Sequence, residues 1–390
     1  MSAPAPRIRL GMVGGGSGAF IGGVHRIAAR LDGRFELIAG ALSSDPARAK
    51  ESGEALGLAP ERTYGSFAEM AQAEAARSDG IEAVSIVTPN HMHAAAAEPF
   101  LARGIHVICD KPLTATGEQA AELAKAIEAS DALFVLTHNY TGHPLVRQAR
   151  AMVANGTLGA VRLVHAEYVQ DWLASSLEAA GNKQAGWRTD PAQAGGGGSI
   201  GDIGTHAINL ASFITGQRLS AVAADLHTFG PGRTLDDNAH ILLRFEGGAS
   251  GMLWTSQVAH GNENGLAIRI VGEKGALSWR QENPNELFFA PEGAPTQRLT
   301  RGGPGLPDAP GAGIRIPPGH PEGYLEAFAT IYADAADLIE ARRRGGAAGE
   351  RLLPGLDAGL EGMRFIEASV RSSAAGSAWT TLKREELRKE

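Results

Sequence analysis

The chain has 390 residues, 43% of them hydrophobic and 20% charged, with a formal net charge of −7, which describes an ordinary globular protein too long for a single core, so two domains are expected. The mildly negative balance argues against nucleic acid as a partner, since phosphate binding needs a basic stripe, and no stretch approaches the roughly 18 uninterrupted apolar residues of a membrane span. The lone Cys109 excludes an intrachain disulfide and a cysteine-based metal cage, and its apolar surroundings point to an inert core thiol.

From the N-terminus, Arg7–Val13 reads as a short strand running into glycines rather than a secretory signal, and a cytoplasmic protein is expected. Strand-like and helix-like segments then alternate. Strands are expected at Ile8–Val13, Phe35–Ala41, Ala83–Val87, His106–Cys109 and Leu133–Thr137. Helices are expected at Gly22–Leu31, Pro46–Leu56, Phe67–Ala76, His93–Arg103 and Gly117–Ala129. Short apolar strands separated by helical crossovers predict a doubly wound parallel sheet covered on both faces, with ligand at the carboxyl ends of its strands.

After about Thr137 the rhythm changes. Helices at Pro144–Asn155 and Asp202–Thr215 accompany alternating strands at Val161–Val169, His240–Phe245, Gly251–Gln257, Leu266–Val271 and Ala276–Trp279. Short Gly-containing turns such as Glu246-Gly247-Gly248 and Glu273-Lys274-Gly275 are hairpin signals. An α+β second domain with an open, mostly antiparallel sheet follows, and the division is drawn at residues 1–138 and 139–390. Ala290–Pro318, rich in Gly and Pro, reads as a long surface loop. The cluster Arg342–Arg344, after the apolar segment Tyr324–Leu338, reads as cations closing a helix.

Between the first strand and first helix stands Gly14-Gly15-Gly16-Ser17-Gly18-Ala19-Phe20-Ile21-Gly22. A dinucleotide fold needs one glycine for the tight turn, one for close approach to the pyrophosphate and one for helix packing. Gly14 and Gly16 can fill the first two roles; the third is open between Gly18 and Gly22. At the end of the second strand, Ser43 with Arg48 nearby would suit the 2′-phosphate of NADP, whereas Asp45 would suit the free ribose of NAD. Asp45 before Pro46 is equally a helix cap. NAD is expected, with NADP open.

Two more segments carry candidate chemistry. Thr88-Pro89-Asn90-His91-Met92-His93 and Asp110-Lys111-Pro112 each follow a buried strand at the ligand edge. A lysine fixed there could polarise a substrate hydroxyl. His91 and His93 have no second ligand cluster, so no metal is expected and cofactor contact or a helix start is the better reading. Farther on come Trp187-Arg188-Thr189-Asp190-Pro191, the glycines 195–198, and Gly201-Asp202-Ile203-Gly204-Thr205-His206. Asp202 and His206, four apart, would share a helix face that Asn209 can join. The plain alternative is a capping aspartate and a satisfied semi-buried imidazole.

In this combination and order, these motifs resemble the glucose–fructose oxidoreductase, inositol dehydrogenase and rhizopine-catabolism (Gfo/Idh/MocA) oxidoreductases over nearly the whole chain. His320-Pro321-Glu322-Gly323-Tyr324 looks like a feature of one branch of that family. The resemblance implies an N-terminal Rossmann domain and a C-terminal open sheet serving in a homodimer or homotetramer. It implies Lys111, Asp202 and His206 as the catalytic set, with His206 as general acid/base and Asp202 holding the reacting hydroxyl. Lys111 would contact both the nicotinamide ribose and the substrate. Gly14, Gly16, Ser17, Phe20, Ile21, Ser43, Asp45, Thr88, Asn90, His93, Asp110 and Lys111 would bind the dinucleotide. Tyr140, Trp187 and Arg188 would join the catalytic three in holding a sugar or cyclitol. Asp110 stands where many members have Glu. The expected activity is hydride transfer between NAD(P) and a hydroxyl-bearing carbon of a sugar, inositol or glycoside. An NAD-dependent glycosidase using transient oxidation and a non-catalytic dinucleotide-binding regulator are the alternatives; retention of Lys111, Asp202 and His206 together speaks against the regulator.

Overall fold

The computed structural model describes residues 6–304, 313–346 and 352–382. The first part runs β1 (Ile8–Gly14), α1 (Phe20–Leu31), β2 (Phe35–Ala41), α2 (Pro46–Ala55), α3 (Phe67–Ala75), β3 (Ala83–Val87), α4 (His93–Leu101), β4 (His106–Cys109), α5 (Gly117–Glu128) and β5 (Phe134–Leu136). Helix starts coincide with side chains that satisfy free amides: Asp45 accepts from the Arg48 amide, Ser66 from Glu69 and Thr116 from Gln119. The five strands are parallel, in the order β2-β1-β3-β4-β5. Chain direction across the sheet reverses between β1 and β3, which opens a crevice at the carboxyl ends of those two strands.

The second part runs α6 (Pro144–Ala154), β6 (Val161–Val169), α7 (Lys183–Arg188), α8 (Pro191–Ala194), α9 (Thr205–Thr215), β7 (Leu219–His227), β8 (Asn238–Phe245), β9 (Ser250–Ser256), β10 (Gly265–Gly272), β11 (Gly275–Arg280), β12 (Glu286–Pro291), β13 (Gln297–Thr300), α10 (Tyr324–Arg343), α11 (Leu356–Ala374) and β14 (Thr380–Thr381). Its nine-stranded sheet has the order β13-β12-β11-β10-β6-β9-β8-β7-β14, antiparallel except where β6 lies parallel to β9. Period-two burial on β8 puts Ile241, Leu243 and Phe245 inward, where they share a core with Leu145 and Val146 of α6, Ile208 and Ile214 of α9 and Phe365 of α11. The opposite face keeps Leu163, Leu242, Met252 and Phe288 exposed.

The fold class expected from sequence, a parallel sheet followed by an α+β unit with an open antiparallel sheet, is the one observed. Three local expectations are corrected. Ala290–Pro318 is not loop throughout, because Gln297–Thr300 pairs with β12 as an added edge strand; residues 305–312 of that stretch lie outside the described residues. The helix expected over Asp202–Thr215 opens as a π-helical turn, Ile200–Gly204, before α9 begins. Finally, β7 and α11 form where no element was expected. Both are rich in Ala, Ser or Gly, so their apolar periodicity is shallow and their formation depends on packing against each other.

Helix α10 ties the two parts together. Phe328, Ile331, Tyr332 and Ile339 pack with Ile8, Leu10, Val24 and Phe35 over one face of the parallel sheet. Each large apolar side chain buried this way contributes about 1.5–3 kcal/mol. The Tyr332 hydroxyl lies 2.8 Å from His25 Nδ1 on α1 and 2.6 Å from Ser85 Oγ on β3, joining three elements in the interior. Asp334 meets Arg147 of α6 at 2.7 Å, with side-chain exposures of 7% and 1%.

Removing one partner of a buried ion pair leaves the other charge desolvated, at a cost of about 3–5 kcal/mol. Asp334→Ala should therefore lower unfolding stability by about that amount, read as a shifted urea midpoint with unchanged slope; a loss below about 1 kcal/mol would show that the pair contributes little.

Candidate active site between the two sheets

The crevice at β1 and β3 is floored by glycine. Gly14 and Gly15 have φ of +77° and +69°, the left-handed region that glycine enters without strain. A Cβ on Gly14 would stand 3.0 Å from the Val87 carbonyl oxygen, and one on Gly22 only 2.4 Å from Gly15 Cα. Gly22 is thus the glycine that lets the helix pack on the turn, which the spacing alone left open; Gly18, with φ +79°, has open space around it. Ser17 donates its amide to Ser52 Oγ at 3.0 Å, and Arg26 donates to the Gly15 carbonyl at 2.6 Å, bracing the loop from both sides.

Helix α1 has twelve residues, no side-chain cap and no acidic residue in its first turn. Its first amides are therefore open to an anion, and the turn that precedes it has no side chain in the way. These features fit a dinucleotide diphosphate. Ser17 and Phe20 are exposed here, and Ile21 is half-buried. At the end of β2, Ser43 Oγ accepts from the Asp45 amide at 3.1 Å, while the exposed Asp45 carboxylate accepts from the Arg48 amide at 3.0 Å. Asp45 is thus the cap of α2 as well as a residue of the crevice rim.

The residues after β3 and β4 lock onto one another. His93 is fully buried, with Nδ1 2.8 Å from the Pro112 carbonyl and Nε2 3.0 Å from that of Thr88. Asn90 donates to the Ala194 carbonyl at 2.9 Å, and the Thr88 hydroxyl is buried with no hydrogen-bond partner. Asp110 accepts from the Lys111 amide at 2.9 Å and from the Thr137 hydroxyl at 3.0 Å. Each bond fixes the backbone that carries Lys111. Among the described residues no group of three or more His, Cys, Asp or Glu is placed to hold a metal ion.

Across the crevice, the glycine run brings the second part of the chain against the first. A Cβ on Gly195 would meet the Ala115 carbonyl oxygen at 2.2 Å, and one on Gly198 would meet that of Asp236 at 2.0 Å. The buried Asp236 carboxylate accepts from the Gly198 amide at 2.7 Å, the Ser199 hydroxyl at 2.7 Å and the Ile200 amide at 2.9 Å. This clamp sets the π-turn that presents Asp202 and, one turn on, His206.

Lys111 reaches over to that turn. Its ammonium donates to the Asp202 carbonyl and, at 3.2 Å, to Asp202 Oδ1. Asp202 Oδ2 accepts from Arg188 Nε at 3.2 Å and from Gln257 Nε2 at 2.8 Å. Burial pushes the Asp202 pKa up, but the Lys111 and Arg188 charges and the bonds from Lys111 and Gln257 outweigh it, so the carboxyl lies well below the usual range. The Arg188 guanidinium carbon stands 4.2 Å from the Trp187 ring and 5.7 Å from that of Trp172.

The His206 ring packs edge-on against Tyr140 at 4.8 Å and His138 at 5.5 Å, with Nδ1 buried and without a partner. Burial, then the Lys111 charge, holds its pKa well below the ordinary value, so the resting imidazole is neutral. Tyr140 and Tyr168 hydroxyls lie 2.6 Å apart, and Tyr168 donates to Asn264 Oδ1 at 2.8 Å.

Lys111, Tyr140, Trp187, Arg188, Asp202 and His206 are thus brought into one contiguous site. Asn209 is not part of it and instead lines a cleft with Arg150 and Glu361. Reading the sequence missed Gln257, Tyr168, Asn264, Trp172 and Asp236. Gln257 is the polar residue closing an expected strand, and Asp236 opens a polar triplet before β8; both were visible signals of that kind. Tyr168 and Asn264 converge only through sheet pairing.

Residues 8–138 match the oxidoreductase family with an NAD-binding Rossmann fold, and residues 146–278 match the GFO/IDH/MocA C-terminal domain. An uncharacterised oxidoreductase of Bacillus subtilis is 38% identical over 384 residues, covering 96% of this chain and 97% of the relative. Levoglucosan dehydrogenase of Pseudarthrobacter phenanthrenivorans is 29% identical over 400 residues, covering 95% and 97%. The crystal structure of an inositol dehydrogenase homolog from Azotobacter vinelandii complexed with NAD+ superposes with a TM-score of 0.92 at 39% identity, covering 97% of this chain and 98% of the other. A second structure of a homolog from that organism, complexed with NADH and myo-inositol, gives a TM-score of 0.88.

Burial lowers the pKa of His25 and His106 to about 4 and of His138 and His143 to about 3, and holds that of His206 well below its ordinary value. These groups stay neutral in the fold, whereas in the unfolded chain they take protons below about pH 6.5. Stability is therefore full above that pH and lost as pH falls from about 6.5 towards 3–4. The melting temperature should be level between pH 7 and 8 and fall steadily from pH 6.5 to 4; a level profile down to pH 4 would contradict the assignment.

Proposed function

Starting from the fact that this chain belongs to the Gfo/Idh/MocA family of NAD-binding oxidoreductases, we propose that it transfers a hydride between NAD and a hydroxyl-bearing carbon of an uncharged sugar, cyclitol or glycoside. The observation that carries this reading is the convergence of Lys111, from the parallel sheet, with Asp202 and His206, from the second sheet, beside a crevice built for a dinucleotide. The amides around Gly14, Gly16, Ser17, Phe20 and Ile21 would hold the diphosphate, and Ser43 and Asp45 would border the adenosine ribose. Thr88 and Asp110 would line the nicotinamide end, while Asn90 and His93 hold its floor through their bonds to backbone carbonyls. Bound NAD supplies the hydride acceptor in oxidation and, once reduced, the donor in the reverse direction.

The remaining chemistry belongs to the side chains. Neutral His206 takes the hydroxyl proton, as a general base must. The Lys111 ammonium lowers the pKa of that hydroxyl by favouring its alkoxide character. Asp202 is a poor base because it is so firmly ionised; it anchors Lys111, and Oδ1 retains lone-pair capacity for a substrate hydroxyl. Arg188 and Gln257 occupy Oδ2 and fix the plane of the carboxylate. The charges of Lys111 and Arg188 are balanced by Asp202 and Asp110, which favours a neutral substrate over a phosphorylated or acidic one. That balance agrees with the relatives named for inositol and levoglucosan. The exposed face of the second sheet, with Leu163, Leu242, Met252 and Phe288, would serve self-association, so light scattering should give a dimer or tetramer rather than a monomer.

His206→Ala and Lys111→Ala should each lower kcat/KM by about 10²–10⁴-fold in assays following reduced cofactor over a panel of sugars, inositols and glycosides. NAD binding by His206→Ala, read by fluorescence quenching, should stay within a few-fold of wild type. Near-wild-type turnover by either variant would remove the catalytic assignment.

A further inference from the structure

A cleft of about 500 Å³ lies between the turn that follows β11 and the start of α10, whose first residue, Tyr324, stands against Tyr140. We propose that this cleft is a second subsite for an uncharged polyhydroxylated ring, so that the substrate of this chain is a two-ring compound such as a disaccharide or a glycosylated cyclitol. The inference rests on the functional reading above and extends it from the reacting ring to its neighbour.

Three observations support it. First, the lining is made of amides, carboxylates and apolar faces, with Gln281, Glu282 and Asn283 on one wall and Pro321, Glu322 and Tyr324 on the other. Among the described residues no lysine or arginine lines the cleft, so a phosphate or carboxylate would meet acidic side chains there. A neutral polyol suits it, because hydroxyls both donate to carboxylates and accept from amides while the ring's carbon face rests on an aromatic surface.

Second, two residues that line the cleft carry polar atoms without a partner among the described residues. The Tyr324 hydroxyl makes no hydrogen bond among the described residues. Glu322 is 4% exposed; its Oε1 accepts from the Arg315 and Ile316 amides at 2.7 and 2.9 Å and meets Arg301, yet Oε2 is buried without a partner.

Third, the cleft and the catalytic centre share a wall. The Tyr324 ring stands 6.1 Å from that of Tyr140, which itself packs on His206. On the other side Gln281 Oε1 accepts from Asn264 at 3.1 Å, and Asn264 accepts from Tyr168, the hydroxyl partner of Tyr140. Burial raises the Tyr324 pKa well above its ordinary value, with Tyr140, Asp110 and Asp202 adding to it, so the phenol sits in the field of the catalytic groups. A substrate with one ring against His206 therefore has its next ring directed to Tyr324 and the 281–283 turn.

The test compares single rings with two-ring compounds that contain them: myo-inositol with galactosyl-myo-inositol, glucose with maltose and cellobiose, and xylose with xylobiose. At least one two-ring compound should exceed its own single ring at least tenfold in kcat/KM, chiefly through a lower KM. Asn283→Leu, at an exposed turn position, should remove that advantage while leaving the single ring within twofold. Equal or better turnover of every single ring, or an equal loss on both classes in Asn283→Leu, overturns the subsite while the dehydrogenase reading stands. Reduction of NAD by neither class overturns both.

Discussion

The ion pair between Lys111 and Asp202 is the contact on which the arrangement turns. One charge sits at the carboxyl end of a parallel strand, and the other sits in a π-helical turn of the second part of the chain. Neither position is useful alone. Two desolvated charges need their partner and further hydrogen bonds to be tolerated, and here Arg188, Gln257 and the Asp202 carbonyl complete the set. The pair therefore ties the end of the parallel strand β4 to the π-turn that leads into His206.

Much of the remaining structure serves to hold those two positions still. On the Lys111 side, His93, Asp110 and Thr137 pin the loops after β3 and β4 to each other. On the Asp202 side, one buried carboxylate, Asp236, takes three hydrogen bonds from the glycine run and the first residues of the π-turn. Helix α10 spans both. Its middle covers the parallel sheet through Phe328 and Tyr332, and its first residue, Tyr324, stands beside Tyr140. A shift of this helix would be felt in the core and at Tyr140 together.

The parallel sheet was legible residue by residue, because its strands are short apolar runs bounded by glycine and cap residues. Lys111, Asp202 and His206 were legible as a motif, and the family resemblance supplied their expected roles; the bonds that tie the Asp202 carboxylate to Lys111, Arg188 and Gln257 were not legible. Roles set by distance in sequence proved less accessible. Spacing left the packing glycine open between Gly18 and Gly22, and only the close approach of Gly22 to Gly15 decides it. Asp202 and His206 were read on an α-helix, whereas a π-turn carries the first of them. Tyr168 on β6 and Asn264 just before β10 meet at the site only after the sheet has paired, so no local pattern marks them. The strand at Gln297–Thr300 was hidden by flanking Gly and Pro, whose turn signal outweighs four residues of weak alternation.

In the proposed reaction His206 takes the carbinol proton, Lys111 favours the alkoxide, and the carbinol hydrogen passes directly to the cofactor. The most direct measurement uses a sugar or cyclitol deuterated at its carbinol carbons, with NAD, and weighs the reduced nicotinamide by mass spectrometry. The account predicts one deuterium in each reduced cofactor, matched by one equivalent of ketone. Ketone formed with unlabelled cofactor, or aglycone released with no reduced cofactor at all, would contradict it.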